Sequence, residues 1–177
     1  MVLSAAAERF LAGPLLAEVE PEARLALFRA LKGGQAAAGS LLIEQGRPND
    51  RLWFLIDGSA TIDRRQGGED RPIARLEAPG IFGATSFFRP TPPTASIRAT
   101  TAVALLTLDH AGHDRLRRDE PRAAEALALA AVRVLAERFD LLDLRITEYI
   151  AAHDDDHPRS TEWARFRARL FEEPNII

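Results

Sequence analysis

Residues 82–94 read FGATSFFRPTPPT. A phenylalanine and a glycine open a short helical turn, and a proline-rich loop leads from it toward a strand. Loops of this shape hold phosphates, because the first N–H groups of a helical turn have no acceptor of their own and favour an anion. The backbone N–H groups of Gly83, Ala84 and Thr85 are the candidates here. Arg89 is the only charged side chain between Phe82 and Thr94, and no carboxylate lies among them. The stretch has the outline of an anion site with few of the charges such a site uses.

Other residues have chemically capable types but poor company. His153 and His157 stand four apart with Asp154, Asp155 and Asp156 between them, the residue types that ligate zinc. Pro158 follows at once and no closed ligand set is near, so the stretch reads as a solvated acidic linker and no metal site is predicted. Asp109, His110 and His113 combine an acid with two imidazoles, yet no serine or other activated nucleophile accompanies them in a recognisable motif. They are assigned to a short connecting helix, and no catalytic residue is predicted. The chain has no cysteine, which excludes disulfides, thiol catalysis and cysteine-held zinc or iron–sulfur centres. Arginine runs at 115–118 and 165–169 are blunted by Asp119, Glu120, Glu162, Glu172 and Glu173, and the net charge is −3. That balance argues against a protein built to coat nucleic acid.

Three kinds of element position these residues. From Ser4 to Leu31 the apolar residues follow a helical period, which Pro14 and Pro21 cut into short helices and which KGG (32–34) closes. From Gly39 the period changes to short apolar runs: SLLIE, RLWFLI, SATI, PIARL, GIF, ASIRA and AVALLTL. The stretches GRPND, DGS, QGGED, APG and RPTPP separate them as turns, a pattern that predicts seven or eight strands of a sandwich or barrel. A helical period returns from Pro121 to Ala152. On it Val132, Leu135, Phe139, Leu142, Ile146 and Tyr149 alternate steps of three and four, as a coiled-coil seam does, and Leu127, Val134 and Leu141 form a second row. One row is expected to cover the strands and the seam to meet a second copy in a homodimer; the alternative is one wide face buried in a monomer. Beyond the acidic linker, Trp163, Phe166 and Leu170 share one face of a short amphipathic segment, placed either on the protein's own core or on a protein partner. The N-terminus has no secretory pattern, and no apolar run approaches the ~20 residues of a membrane span, so a cytoplasmic protein without a membrane span is expected.

The order of these pieces resembles the cyclic nucleotide-binding domain family, which includes the bacterial catabolite activator protein and the regulatory subunits of kinases. The resemblance rests on GSLLIEQGRPNDRLWFLIDGSATI, LEAPGIFGATSFF, PPTASIRATTAVALLTLD and LAERFDLLDLRI, from about residue 8 to residue 146. Gly39, Gly46, Gly58, Phe82, Gly83, Ala95, Arg98 and Ala99 fall where the family pattern wants them. It implies a mainly β fold with flanking helices (α+β): an eight-stranded, jelly-roll-like β-roll with short N-terminal helices and a long C-terminal helix. The corresponding domains are 1–120 for the roll, 121–152 for a dimerisation helix and 153–177 for linker and tail.

The resemblance also says what the loop at 82–94 lacks. Family members place a glutamate after Phe-Gly, to bind the ribose 2′-hydroxyl, and an arginine on the cyclic phosphate. Ala84 and Pro93 occupy those two positions. What remains is the backbone of Gly83, Ala84 and Thr85, the hydroxyl of Thr94 beside Ala95, and Arg89 on the loop between. Arg98 fits the family's structural arginine and is not counted as a replacement. The expectation is a non-catalytic regulatory or interaction module with no cofactor and with ordinary cAMP or cGMP binding lost. The alternative is a sensor that still holds a cyclic nucleotide or another anion through the cassette backbone and Thr94. Catabolite-activator-like regulators carry a helix-turn-helix after the long helix, and the residues after Ala152 are too few for one, so no direct DNA binding is expected.

Overall fold

The computed structural model describes residue 13, residues 16 and 17, residues 19–152 and residue 165. The chain divides into two compact units, residues 1–132 and residues 133–177.

In the first unit, α1 (Pro21–Ala30) leads into β1 (Lys32–Ala36), β2 (Leu41–Ile43), β3 (Arg51–Asp57), β4 (Ser59–Gln66), β5 (Glu69–Glu77) and β6 (Gly80–Phe82). A single-turn helix α2 (Ala84–Phe88) follows, then β7 (Ser96–Ala99), β8 (Val103–Asp109), α3 (His110–Asp119) and the start of α4 (Pro121–Ala152). The eight strands form two antiparallel four-stranded sheets, ordered β1-β8-β3-β6 and β2-β7-β4-β5. The seven apolar runs from Gly39 onward are β2 to β8.

The eighth strand is a correction. KGG does not close the preceding helix: α1 ends at Ala30, where the N–H of Leu31 donates to Phe28 O, and Lys32 to Ala36 pair with Thr107 to Val103 of β8. The four leading residues of β1 are exposed, so this edge strand is held by backbone hydrogen bonds and carries almost no side-chain pattern.

Alternation explains the core. Successive strand residues face opposite sides, and Leu55, Val103 and Leu105 join Ile43, Ala60, Phe82, Ile97 and Ala99 in a buried cluster drawn from both sheets. Leu52, Phe54, Leu106 and Leu108 sit at the alternate positions and are buried as well. That second face needs its own cover, and α1, α3 and the start of α4 carry the buried leucines Leu27, Leu116 and Leu127. Strands buried on both faces read as the continuous runs WFLI and VALLTL rather than as alternating ones. Gly58 closes the turn between β3 and β4 at φ +84°, where a Cβ would lie 2.4 Å from Ala102 O, so only glycine fits.

In the second unit, α4 continues to Ala152. There Leu135, Phe139, Leu142 and Tyr149 are exposed and Ile146 is half-buried, as Val132 is exposed at the end of the first unit. In the second row Leu127 is fully buried and Leu141 is exposed. No helix among the described residues is long and apolar enough to cross a membrane.

Candidate functional site

The loop at 82–94 folds as one turn of helix set on the edge of a sheet. β6 delivers Ile81 and Phe82 into the core, and Phe82 stacks on Trp53 of β3 with ring centroids 5.8 Å apart. Gly83 then takes a left-handed conformation, φ +76°, and its carbonyl accepts from Phe87 N–H at 3.0 Å. A Cβ at Gly83 would meet Arg51 O at 3.0 Å, Asn49 Nδ2 at 3.1 Å and Trp53 Cδ1 at 3.1 Å. The glycine is therefore required by the strand beneath it, whether or not an anion approaches from above.

Ala84, Ser86 and Phe87 are buried, whereas Thr85, Phe88 and Arg89 face outward. Helix geometry leaves the N–H groups of Ala84 and Thr85 without intrahelical acceptors. With only five residues, α2 sums few peptide dipoles behind them. Pro93 and Ala95 are half-buried and Thr94 is exposed. The structure thus brings the predicted cassette residues onto one continuous turn and loop, with Arg89 as its only charge.

A second set of residues, missed from the sequence, grips that turn. Asn49, in the loop between β2 and β3, donates through Nδ2 to Ser86 Oγ at 3.0 Å and to Arg51 O at 2.6 Å. Its Oδ1 accepts from Trp53 Nε1 at 3.0 Å, and Ser86 Oγ donates onward to Gly83 O at 3.2 Å. The same loop holds the far end of the cassette: Gly46 N–H donates to Pro93 O at 2.9 Å, and Gln45 N–H donates to Ser96 Oγ at 3.0 Å. GRPND signals a turn from its composition, but nothing local to it says that Asn49 bonds a serine thirty-seven positions away. Arg98 donates to Gly39 O at 3.0 Å and lies 4.0 Å from Asp63, which fits its assignment as a structural residue.

The acid–histidine group takes packing and capping duties. Asp109 caps α3, accepting from Gly112 N–H at 2.7 Å, and pairs with Lys32 at 2.5 Å. Those two donors hold its carboxyl below the usual carboxylate range. His110 stacks on Phe87 with centroids 4.5 Å apart, and His113 stands edge-on to Phe87 and Phe88. Burial, helped by Arg117, lowers the pKa of His113. No nucleophile adjoins either imidazole in these contacts. No group of three or more metal-ligating side chains occurs among the described residues. His153, His157, Trp163, Phe166 and Leu170 lie outside them; of the tail, Arg165 is described, and it is exposed.

Comparison with known proteins agrees with this architecture. Residues 35–120 match the cyclic nucleotide-binding domain family. Over 139 residues the chain is 33% identical to the CRP-like cAMP-activated global transcriptional regulator of Mycobacterium tuberculosis, covering 73% of this chain and 59% of that protein. The chain therefore spans about three fifths of that relative's length. The N-terminal domain of a transcriptional regulator from Streptomyces coelicolor superposes with a TM-score of 0.63 at 29% identity, over 75% of this chain and 94% of the other. A cyclic nucleotide-binding domain from Methylobacillus flagellatus superposes with a TM-score of 0.72 at 19% identity, over 81% and 85%. With two four-stranded sheets and a helical turn opened by Phe-Gly, the roll matched at residues 35–120 belongs to the cyclic nucleotide-binding domain family.

Proposed function

We propose that this chain is a cytoplasmic, non-catalytic regulatory module in which the nucleotide cassette serves as scaffold and ordinary cAMP or cGMP binding is lost. The observation that carries the reading is the pair Ala84 and Pro93. The family resemblance puts a ribose-binding carboxylate and a phosphate-binding guanidinium at these positions, and a methyl group and a pyrrolidine ring stand there instead. Losing the cationic partner of a desolvated anion costs about 2–5 kcal/mol. Losing a hydrogen bond to a charged acceptor costs about 1.5–3 kcal/mol more. An ordinary micromolar site becomes millimolar or weaker on that arithmetic. The Asn49 and Gly46 contacts support the scaffold role, since they tie both ends of the cassette to the loop between β2 and β3.

The same reading makes the chain a parallel homodimer through Val132, Leu135, Phe139, Leu142 and Ile146, a row left accessible in the single chain. The tail carrying Trp163, Phe166 and Leu170 is assigned to a protein partner. Isothermal titration with cAMP and cGMP tests the loss of binding, and Ala84→Glu combined with Pro93→Arg tests its cause. The double variant is expected to gain measurable affinity over the parent chain. Failure to gain any, in a variant that keeps its fold, would remove these two positions as the explanation.

A further inference from the structure

The C-terminal half of the cassette turn rests on two imidazoles. Phe87 is buried, His110 lies flat on it with ring centroids 4.5 Å apart, and His113 meets it edge-on at 5.5 Å. Phe88 stands edge-on to His113 at 5.8 Å. Among the described residues no hydrogen bond or ion pair joins α2 to α3, so these rings carry the contact. The other half of the turn is held differently. Asn49 bonds Ser86 through an amide that does not titrate, and Gly46 N–H donates to Pro93 O beyond it.

The two histidines differ in what a proton does to them. His110 is exposed and lies over a phenyl face, where a cation is both hydrated and attracted. His113 is half-buried, and burial disfavours its charged form, with the guanidinium of Arg117 acting in the same sense. Asp114 opposes them and His110 adds to them. α2 brings no charged side chain, and Arg89, which caps it, is exposed. From α4, Glu125 shares with His113 a groove of about 400 Å³ that Phe88, Arg117, Ala124 and Ala128 also line. A protonated ring therefore has room to leave the phenyl groups, with water and a carboxylate in the space it enters.

We propose that His113 is a pH-operated latch on the cassette: the neutral ring holds the Phe87–Phe88 end of α2 against α3, and the protonated ring turns into the groove and releases it. The contact is complete above the ordinary histidine value near 6.5 and is lost as pH falls below it. Release is one-sided, because the Asn49 and Gly46 contacts involve no titrating group. The latch works whether or not the cassette binds a nucleotide.

Amide hydrogen exchange followed by NMR on the full chain, without ligand, at pH 7.0 and 5.5 tests it. The reporting amides are Phe87, which donates to Gly83 O, and Arg89, which donates to Thr85 O. At pH 5.5 a released imidazole is about ten to one protonated, so their protection, corrected for intrinsic exchange, is expected to fall by about three- to tenfold. Gly46 N–H should keep its protection over the same range. His113→Phe keeps a ring in the contact and His113→Gln is neutral at both pH values; in each, the protection of Phe87 and Arg89 should no longer depend on pH. His110→Phe should leave the fall in place. No fall in the parent, a fall that survives both His113 variants, or one that vanishes in His110→Phe would overturn the latch. So would Phe87 and Arg89 amides that exchange only together with those of β8, since release would then be global unfolding and not a local opening.

Discussion

At position 84 a methyl group, 4% exposed, occupies the first residue of α2, directly after a glycine pressed against β3. A side chain changed at this position would alter what the turn can bind more than it would alter the backbone, which Gly83 and β3 fix. His113 shows the opposite relation, a titratable side chain kept for its shape. Its ring stands edge-on to Phe87 and Phe88, and burial makes the neutral form the favoured one. Because its folded pKa lies below the unfolded value near 6.5, its stabilising contribution is complete above that value and is lost as pH falls through the folded pKa. Thermal melts should therefore decline from pH 7.5 to 5.5, and His113→Phe should flatten that part of the decline. An identical slope in the variant would show that the ring does not titrate in this window. Asp109 follows the carboxylate sign: its pKa is lowered by Lys32 and Gly112, so its contribution persists well below the range in which His113 acts.

At the scale of elements, the cassette is a turn clasped by the loop between β2 and β3. Asn49→Ala would leave Trp53 Nε1, Ser86 Oγ and Arg51 O short of a partner. Unsatisfied buried polar groups cost about 1–3 kcal/mol, so a fall in Tm of about 2–10 °C and faster hydrogen exchange across residues 83–89 are expected. Unchanged exchange there would mean that Gly46 and Gln45 suffice to hold the turn. The strands β2 to β7 were legible because each joins an apolar run to a Gly, Pro or Asn turn, β8 because AVALLTL is a continuous apolar run, and α4 because its period persists from Pro121 to Ala152. β1 was not legible: KGGQA has no apolar alternation, and what makes it a strand is the backbone of β8, seventy residues away. The outline of the cassette could be read from Phe82, Gly83 and Pro93 in one stretch of chain. Its clasp could not, because Asn49 and Ser86 meet only once the sheets are formed.

For the whole molecule, the accessible row on α4 is where the proposed dimer is tested. Val132, Phe139 and Leu142 are each more than half exposed in the single chain, an apolar stripe that a second copy would cover. Leu135→Glu with Leu142→Glu puts carboxylates into a seam that would be dry, and sedimentation should then report monomers. A dimer that survives the pair of substitutions would place the contact elsewhere. The proposed dimer and the proposed loss of nucleotide binding belong to one account, in which protein contacts order the cassette. The most direct measurement of that claim is calorimetric titration of the full chain with cAMP and with cGMP. The account predicts no saturable heat below ~1 mM ligand; saturable binding at micromolar concentration would contradict it.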